Sequence, residues 1–284
     1  MNKEKLKSLG QKVTYTEKYD PSQLEGFSRE SRRNGYVEMN GADIWTAFEV
    51  SFLKPNGVPC YLVLRLSNPV SSKKIFESKS LKLYLNSFNN SVIESEDVLI
   101  DIIKKDLSKL VEGDVLVEKQ TGFNHEIVLT SECNQIEDFI QDIDISEYNY
   151  NPLLLKVKLK KEKGEVKEVS LTSNLGRSNC EITNAPDFFR LFVVYEPNKV
   201  EVTYESLLQY LISLRGHQMF HEPVTERIWQ DLYKLLEPKS LTVICQFTRR
   251  GGIDINPIRT TEPGFYNVKE WGEGIVKLPK LTQQ

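Results

Sequence analysis

Leu81-Lys82-Leu83-Tyr84-Leu85-Asn86-Ser87 in the first half of the chain and Leu207-Leu208-Gln209-Tyr210-Leu211-Ile212-Ser213 in the second share the pattern Leu-x-x-Tyr-Leu-x-Ser. A second pair follows each of them. Asp106-Leu107-Ser108-Lys109-Leu110 corresponds to Asp231-Leu232-Tyr233-Lys234-Leu235. The two offsets agree at about 125 residues, so the chain reads as two copies of one unit. The later block of each copy lies on an amphipathic helix. Leu99, Ile102, Ile103, Leu107 and Leu110 recur at helical spacing in one, and Val224, Ile228, Leu232, Leu235 and Leu236 in the other. Both stripes read as core.

Working outward, each helical pair is preceded by a hairpin-like stretch. Ile44, Thr46, Phe48, Val50 and Phe52 alternate with Trp45, Ala47, Glu49 and Ser51 before Lys54-Pro55-Asn56-Gly57 turns the chain into Tyr61 to Leu66. In the second copy Leu153, Leu155, Val157 and Leu159 alternate with Lys156, Lys158 and Lys160 ahead of Lys163-Gly164, and Phe188 to Tyr195 supplies another apolar strand. The lysines read as the solvated face of a hairpin. One further strand follows each helical pair, Val115 to Glu118 and Leu241 to Phe247. Strand, strand, helix, helix, strand, repeated twice, predicts two tandem α+β units, each an antiparallel sheet with helices packed on one face. Residues 1–150 form the first unit, with an N-terminal arm and an acidic linker over 131–152, and residues 151–284 the second. Pro21 and Gly26 interrupt the polar first thirty-four residues, which read as an arm outside the core.

Composition excludes several classes. With 284 residues and 39% hydrophobic side chains the chain can bury a core, so it is not disordered. A formal charge of -3 and a pI near 5.8 argue against nucleic-acid binding driven by phosphate neutralisation. A small-molecule partner is expected instead. No apolar stretch approaches a membrane span, and Met1-Asn2-Lys3-Glu4-Lys5 leads into no apolar signal core, so the expected compartment is the cytoplasm. Cys60, Cys133, Cys180 and Cys245 are far apart with no Cys-x-x-Cys pair, which gives neither a disulfide framework nor a zinc knuckle. Cys245 alternates with Val243 and Phe247 and reads as core. Cys60 and Cys133 have no evident titrating partner, and His125 reads as a loop or capping residue.

Four segments carry chemistry. In Ser178-Asn179-Cys180-Glu181-Ile182-Thr183-Asn184-Ala185-Pro186-Asp187 a thiol precedes a carboxylate across a turn-forming proline, a nucleophile with a proton-transfer partner in reach. Phe76-Glu77-Ser78-Lys79-Ser80-Leu81-Lys82 gathers polar groups at a helix start. There Glu77 can accept from a heterocycle edge, Ser78 can donate, and Lys79 and Lys82 can meet phosphate charge. A helix cap with a solvated charge pair explains the same residues. In His217-Gln218-Met219-Phe220-His221-Glu222-Pro223, His221 and Glu222 stand just before a helix whose first position suits Pro223. A carboxylate there can accept from the ring N–H and exocyclic amine of a guanine-like base, or simply cap the helix. Finally, Arg249-Arg250-Gly251-Gly252 follows a strand and can grip phosphates. No Gly-x-Gly-x-x-Gly follows a strand, so a Rossmann-type site is not expected.

In their order along the chain, over residues 44–259, these segments resemble the NADPH-dependent nitrile reductases that convert 7-cyano-7-deazaguanine to 7-aminomethyl-7-deazaguanine in queuosine biosynthesis. Glu77 to Tyr84 is similar to the family signature, Ser178-Asn179-Cys180 with Asp187 to its catalytic segment, Phe220-His221-Glu222 to its base-recognition segment, and Arg249 to Gly252 to its cofactor segment. The arrangement resembles the long, bimodular branch. That resemblance implies two tunnelling-fold units per chain and a homodimer with sites formed between units. It further implies a thioimide of Cys180 with the nitrile carbon, Asp187 moving the proton, and His221 assisting in positioning or proton transfer. Phe76, Glu77, Ser78, His221 and Glu222 would hold the substrate, and Ser78, Lys79, Arg250 and Gly251 the NADPH, with no metal. Phe188 stands where the family pattern has tryptophan. Two other readings exist: a zinc-dependent tunnelling-fold activity such as a GTP cyclohydrolase, with Cys180, His217 and His221 as ligands, and a non-catalytic purine-binding protein.

Overall fold

The computed structural model describes residues 15–16, 18–33, 38–120, 133–140, 142–160 and 168–263. His125 and the Lys163-Gly164 turn lie outside them. The chain divides into two compact units, one comprising Met1–Asn34, Ile44–Phe123 and Arg249–Asp254, the other Gly35–Asp43, Asn124–Thr248 and Ile255–Gln284. Each is α+β, as the patterning predicts.

The elements of the first half are β1 (Gly26–Ser28), β2 (Asn40–Leu53), β3 (Pro59–Pro69), β4 (Lys74–Phe76), α1 (Ser78–Asn86), α2 (Glu96–Val111) and β5 (Leu116–Lys119). In the first unit the sheet runs in the order β5-β3-β2. The expected turn joins β2 to β3: Lys54 donates to Val58, and Gly57 at φ +81° closes it by donating back to Lys54. Helix α1 is capped by Glu77, which accepts from the N–H groups of Lys79 and Ser80, and α2 by Ser95, which accepts from Val98. The buried stripe of α2 is Leu99, Ile103, Leu107 and Val111, while Ile102 and Leu110 are half-exposed.

In the second half come β6 (Asn134–Gln135), β7 (Val157–Leu159), β8 (Val169–Asn179), β9 (Pro186–Glu196), β10 (Val200–Val202), α3 (Tyr204–Ser213), α4 (His221–Leu236), β11 (Ser240–Phe247) and β12 (Ile253–Thr260). The second unit's sheet is ordered β12-β11-β9-β8-β6, antiparallel except for β6 against β8.

The strand expected over residues 153–159 is corrected here. Only Val157–Leu159 is extended, and it pairs with β10 in a separate two-stranded sheet. Of the alternating apolar residues, Leu153 is 87% and Leu159 82% exposed, whereas Leu155 is buried. The hairpin partner of β9 is instead β8, a Ser- and Asn-rich strand with little hydrophobic alternation for a sequence reading to find.

The arm and the linker are corrected too. Tyr19 to Glu25 and Tyr150 to Lys156 are equivalent straps, each lying over the first helix of its own unit. In the first unit the Asp20 and Glu25 N–H groups donate to Ser87 Oγ and Ser80 Oγ; in the second, Asn151 and Lys156 donate to Ser213 Oγ and Ser206 Oγ. Each strap turns through a short 3-10 segment begun by an Asx cap before proline, Asp20-Pro21 or Asn151-Pro152. Beyond its strap, the first arm buries Phe27 and pairs β1 with β4, and the linker buries Ile136.

The repeated Tyr and Asp meet. Asp106 Oδ2 accepts from Tyr84 and Tyr19, each at 2.7 Å, and Asp231 Oδ2 accepts from Tyr210 at 2.7 Å and Tyr150 at 2.8 Å. One carboxylate therefore joins both helices and the strap of its unit. Elsewhere in the second unit a fully buried Arg259 binds Asp43 at 2.7 Å and Glu226 at 2.9 Å, so a cation compensates two buried acids. Replacing Asp231 by alanine leaves two tyrosine hydroxyls without their acceptor and should lower stability by about 2 kcal/mol. Asp231→Asn, which keeps an oxygen, should lose less. Urea midpoints equal to wild type in both variants would refute this role.

Candidate functional site

The second unit holds Cys180, Asp187, His221 and Glu222. Cys180 is half-buried at the tip of the β8–β9 hairpin. Its N–H donates to Ala185 O at 2.8 Å and its carbonyl accepts from Asn184 at 3.0 Å, which carries the ladder one step past β8; Asn184 completes the turn at φ +57°. Asp187 is the second residue of β9, buried, and directly opposite Ser178 in the register. A hairpin of this length thus presents thiol and carboxylate from adjoining strands.

The hairpin is fastened to the segment that leads into α4. Asn179 N–H donates to His217 O at 2.8 Å, Met219 N–H donates to Asn179 O at 3.0 Å, and Gln218 Nε2 donates to Asn184 Oδ1 at 2.7 Å. These bonds set where α4 begins. The helix starts earlier than its proline suggests: His221 and Glu222 lie in the first turn rather than before it, and Phe220 is the extended N-cap. Pro223 is tolerated at the third position because first-turn N–H groups have no intrahelical acceptor.

His221 Nε2 lies 3.3 Å from Asp187 Oδ1. The imidazole is stacked on Phe247, centroids 3.8 Å apart and planes 6° apart. Phe247 in turn packs against Phe189, its partner in the β9–β11 register, at 4.8 Å. Phe189 faces Gly176 on β8, where a Cβ would stand 2.5 Å from the phenyl ring. A glycine on β8 therefore gives room to the ring that supports Phe247, and Phe247 fixes the plane of His221. Phe247, Phe189 and Gly176 went unnoticed as site residues; glycine inside a strand was the available signal. His221 Nδ1 and Ser178 Oγ are buried here without a hydrogen-bond partner among the described residues. Glu222 is 2% exposed in the positive field of the α4 N-terminus.

His217 is set apart from this cluster. Its ring lies 5.1 Å from that of Tyr150, its Nε2 is 3.2 Å from Met219 Sδ, and burial, then the Arg227 charge, lowers its pKa. Among the described residues no group of three His, Cys, Asp or Glu side chains could hold a metal ion. Burial pushes the Cys245 thiol up to about 12 and the Cys133 thiol up to about 11; Cys60 Sγ contacts Glu96 Oε1 at 3.4 Å, a neighbour the sequence did not disclose.

The first unit holds the other expected residues. Phe76 is buried edge-to-face on Trp45, 5.5 Å between centroids. Glu77 is buried as well, not solvated, and burial raises its pKa against the opposing bonds from Ser80 and Lys79. Ser78 is exposed and Lys79 half-exposed in the first turn of α1. Arg250-Gly251-Gly252-Ile253 is a two-residue hairpin closed by reciprocal bonds of 2.9 and 3.0 Å between Arg250 and Ile253. Both glycines have positive φ, +57° and +80°, as the mirror-image turn requires. Lys82 Nζ, one turn along α1 from Ser78 and Lys79, donates to Gly251 O at 2.6 Å and lies 3.3 Å from Glu49 Oε2. Glu49 was missed because strand alternation marks it only as outward-facing. Beside Lys82 opens a cleft of about 420 Å³ lined by Tyr15, Glu49, Ser51, Tyr61, Lys82, Asn86 and Asn89. An exposed serine and a lysine at a helix start, an exposed arginine on the hairpin, and a glycine pair with no side chain to obstruct approach suit the phosphates of a dinucleotide.

Fold and candidate site together describe a protein of two α+β units with a thiol at a hairpin tip of the second. Residues 15–119 match the family described as nitrile reductase, 7-cyano-7-deazaguanine-reductase N-term, and residues 186–263 match the family described as QueF-like protein. A solved structure, the archaeosine synthase QueF-Like in the apo form, aligns at 21% identity and a TM-score of 0.32, covering 34% of this chain and 95% of its own. The chain belongs to the QueF nitrile-reductase family. No helix among the described residues is long and apolar enough to cross a membrane.

Asp254, at the end of the hairpin segment, is buried, and that burial raises its pKa from 3.8 to about 6 against the pull of Arg249. An acid that holds its proton more tightly when folded stabilises the fold below pH 3.8 and loses that contribution as pH rises through about 6. Asp254→Asn should therefore be more stable than wild type at pH 7, by on the order of 2 kcal/mol, and should lose the slope across that window. Thermal melts at stepped pH that run parallel for the two proteins would contradict the assignment.

Proposed function

We propose that this chain reduces the nitrile of 7-cyano-7-deazaguanine to the aminomethyl group through a covalent adduct on Cys180, with NADPH as reductant. The observation that carries the reading is the pairing of buried Asp187 with the largely buried His221, 3.3 Å apart, on the strand and helix fastened to the Cys180 hairpin of a nitrile-reductase family member.

The Cys180 sulfur bonds to the nitrile carbon, one C–N π bond opens, and the proton released from the thiol reaches nitrogen by way of Asp187, giving a neutral thioimide. His221, bonded to Asp187 and held flat on Phe247, orients the carboxylate and can share its proton. Hydride at the thioimide carbon lets the C–S bond break, with the electron pair returning to Cys180 and an imine remaining in the site. A second hydride and a proton convert the imine to the amine. The nicotinamide supplies hydride when bound; Ser78, Lys79, Arg250 and Gly251 are the residues proposed to hold its carrier. Arg250 offers forked donors for phosphate, and the α1 N-terminus adds its field. Glu222 and Glu77 are proposed to accept from the base edge. Each Glu77 oxygen accepts one bond from α1 and has capacity for another. Phe76 is proposed to act as the wall behind Glu77. We place the enzyme in the cytoplasm as a homodimer that binds no nucleic acid directly.

With a limiting, known amount of 7-cyano-7-deazaguanine, the purified protein should oxidise two NADPH per nitrile. Intact-mass analysis without NADPH should find one nitrile added to wild type and none to Cys180→Ala, which should also lose turnover. Turnover that persists in Cys180→Ala would defeat the covalent route, and folded wild type that oxidises no NADPH would defeat the reductase reading.

A further inference from the structure

Ser178 has a buried hydroxyl with no structural task among the described residues. It is fully buried on β8, and its Oγ has no hydrogen-bond partner among the described residues. Such a group forfeits its bonds to water and destabilises the fold by about 1–3 kcal/mol. Two neighbours show what surrounds it. Asp187 is its direct partner across the antiparallel ladder, so the two side chains share a face. Cys180 follows two residues on, and the ladder continues through its N–H to Ala185 O, so strand alternation gives the thiol that same face. The face also carries Phe189 and Phe247, with His221 stacked on the latter.

Asp187 Oδ1 faces His221 Nε2, and Ser178 Oγ bonds to none of the described residues, so the hydroxyl is left for whatever occupies the site. Resting on the reaction proposed above, we infer that Ser178 is a further catalytic residue. Its hydroxyl donates a hydrogen bond to the substrate nitrogen as sulfur adds to the nitrile carbon. When the S–C bond forms, electron density from the opening π bond moves to that nitrogen before a proton arrives. A donor fixed on the nucleophile's own strand meets the charge as it develops, in the manner of an oxyanion hole. The proton that stays on nitrogen still comes through Asp187, and Ser178 keeps its own.

The test is Ser178→Ala, followed through the rate of adduct formation with 7-cyano-7-deazaguanine in the absence of NADPH, alongside thermal unfolding. Adduct formation should slow by about ten-fold or more, with little change in the nitrile concentration giving half-maximal rate. The melting temperature should hold or rise, because an unpartnered buried hydroxyl has been removed. A structural role would give the reverse, a lower melting temperature with a rate that recovers on cooling. An adduct rate within two-fold of wild type, or a loss of rate matched by loss of fold, overturns the role of Ser178 alone. Wild type that forms no adduct on Cys180 overturns both this inference and the reaction it rests on.

Discussion

Each unit is organised around an aspartate that receives two tyrosine hydroxyls. A carboxylate away from water needs donors, and in these units phenols supply them: Tyr84 and Tyr19 to Asp106, Tyr210 and Tyr150 to Asp231. The consequence is geometric. Two donors on one oxygen fix the second helix of the unit, the first helix and the strap over it by a single group, and the serines of the first helix then take the strap's N–H groups at both ends. Burial raises the tyrosine pKa values, and hydrogen bonding to the carboxylate adds to it, so the phenols remain donors throughout the physiological range.

The site depends on this anchoring. Helix α4 is held in its second half by Asp231 and along its body by Glu226, which shares Arg259 with Asp43. Its N-terminal turn is held by the bonds between residues 217–219 and the Cys180 hairpin. A helix fixed at both ends has little freedom to rotate, so His221 reaches Asp187 and Phe247 in a set orientation. The aromatic support beneath it belongs to the sheet. Gly176, Phe189 and Phe247 occupy adjoining strands of one register row, so the plane of the imidazole is determined by strand pairing rather than by a flexible loop.

How much of this was legible in the sequence follows from what each element is asked to do. Helices α2 and α4 announce themselves because one face meets only core, and the repeated Tyr and Asp marked a contact whose nature the sequence did not reveal. The first strap reads as an arm because it is polar, and the second divides between a linker ending at Pro152 and an expected strand beginning at Leu153; both are held by hydrogen bonds to serine, which leave no periodicity. Tyr19-Asp20-Pro21 against Tyr150-Asn151-Pro152 was the available clue. Leu153 and Leu159 misled in the opposite direction, since alternation reports which residues share a face and not whether anything covers it. Glu77 shows a third case: the sequence offers a cap or a ligand contact, and the structure shows the cap together with a burial that patterning does not reveal.

The strand that sequence patterning missed is also the one that leads into the candidate site, and the two facts have one cause. A strand with one face on a hydrophobic core repeats apolar residues at every second position. On β8 the positions of that face beside β9 are Gly176, which must stay small beneath Phe189, and Ser178, opposite Asp187. Neither contributes to hydrophobic alternation, because one yields its volume to an aromatic ring and the other supplies a polar atom. Local patterning weakens where a strand's residues answer to a ring or a ligand in place of a core, and the weakened stretch runs straight into Cys180.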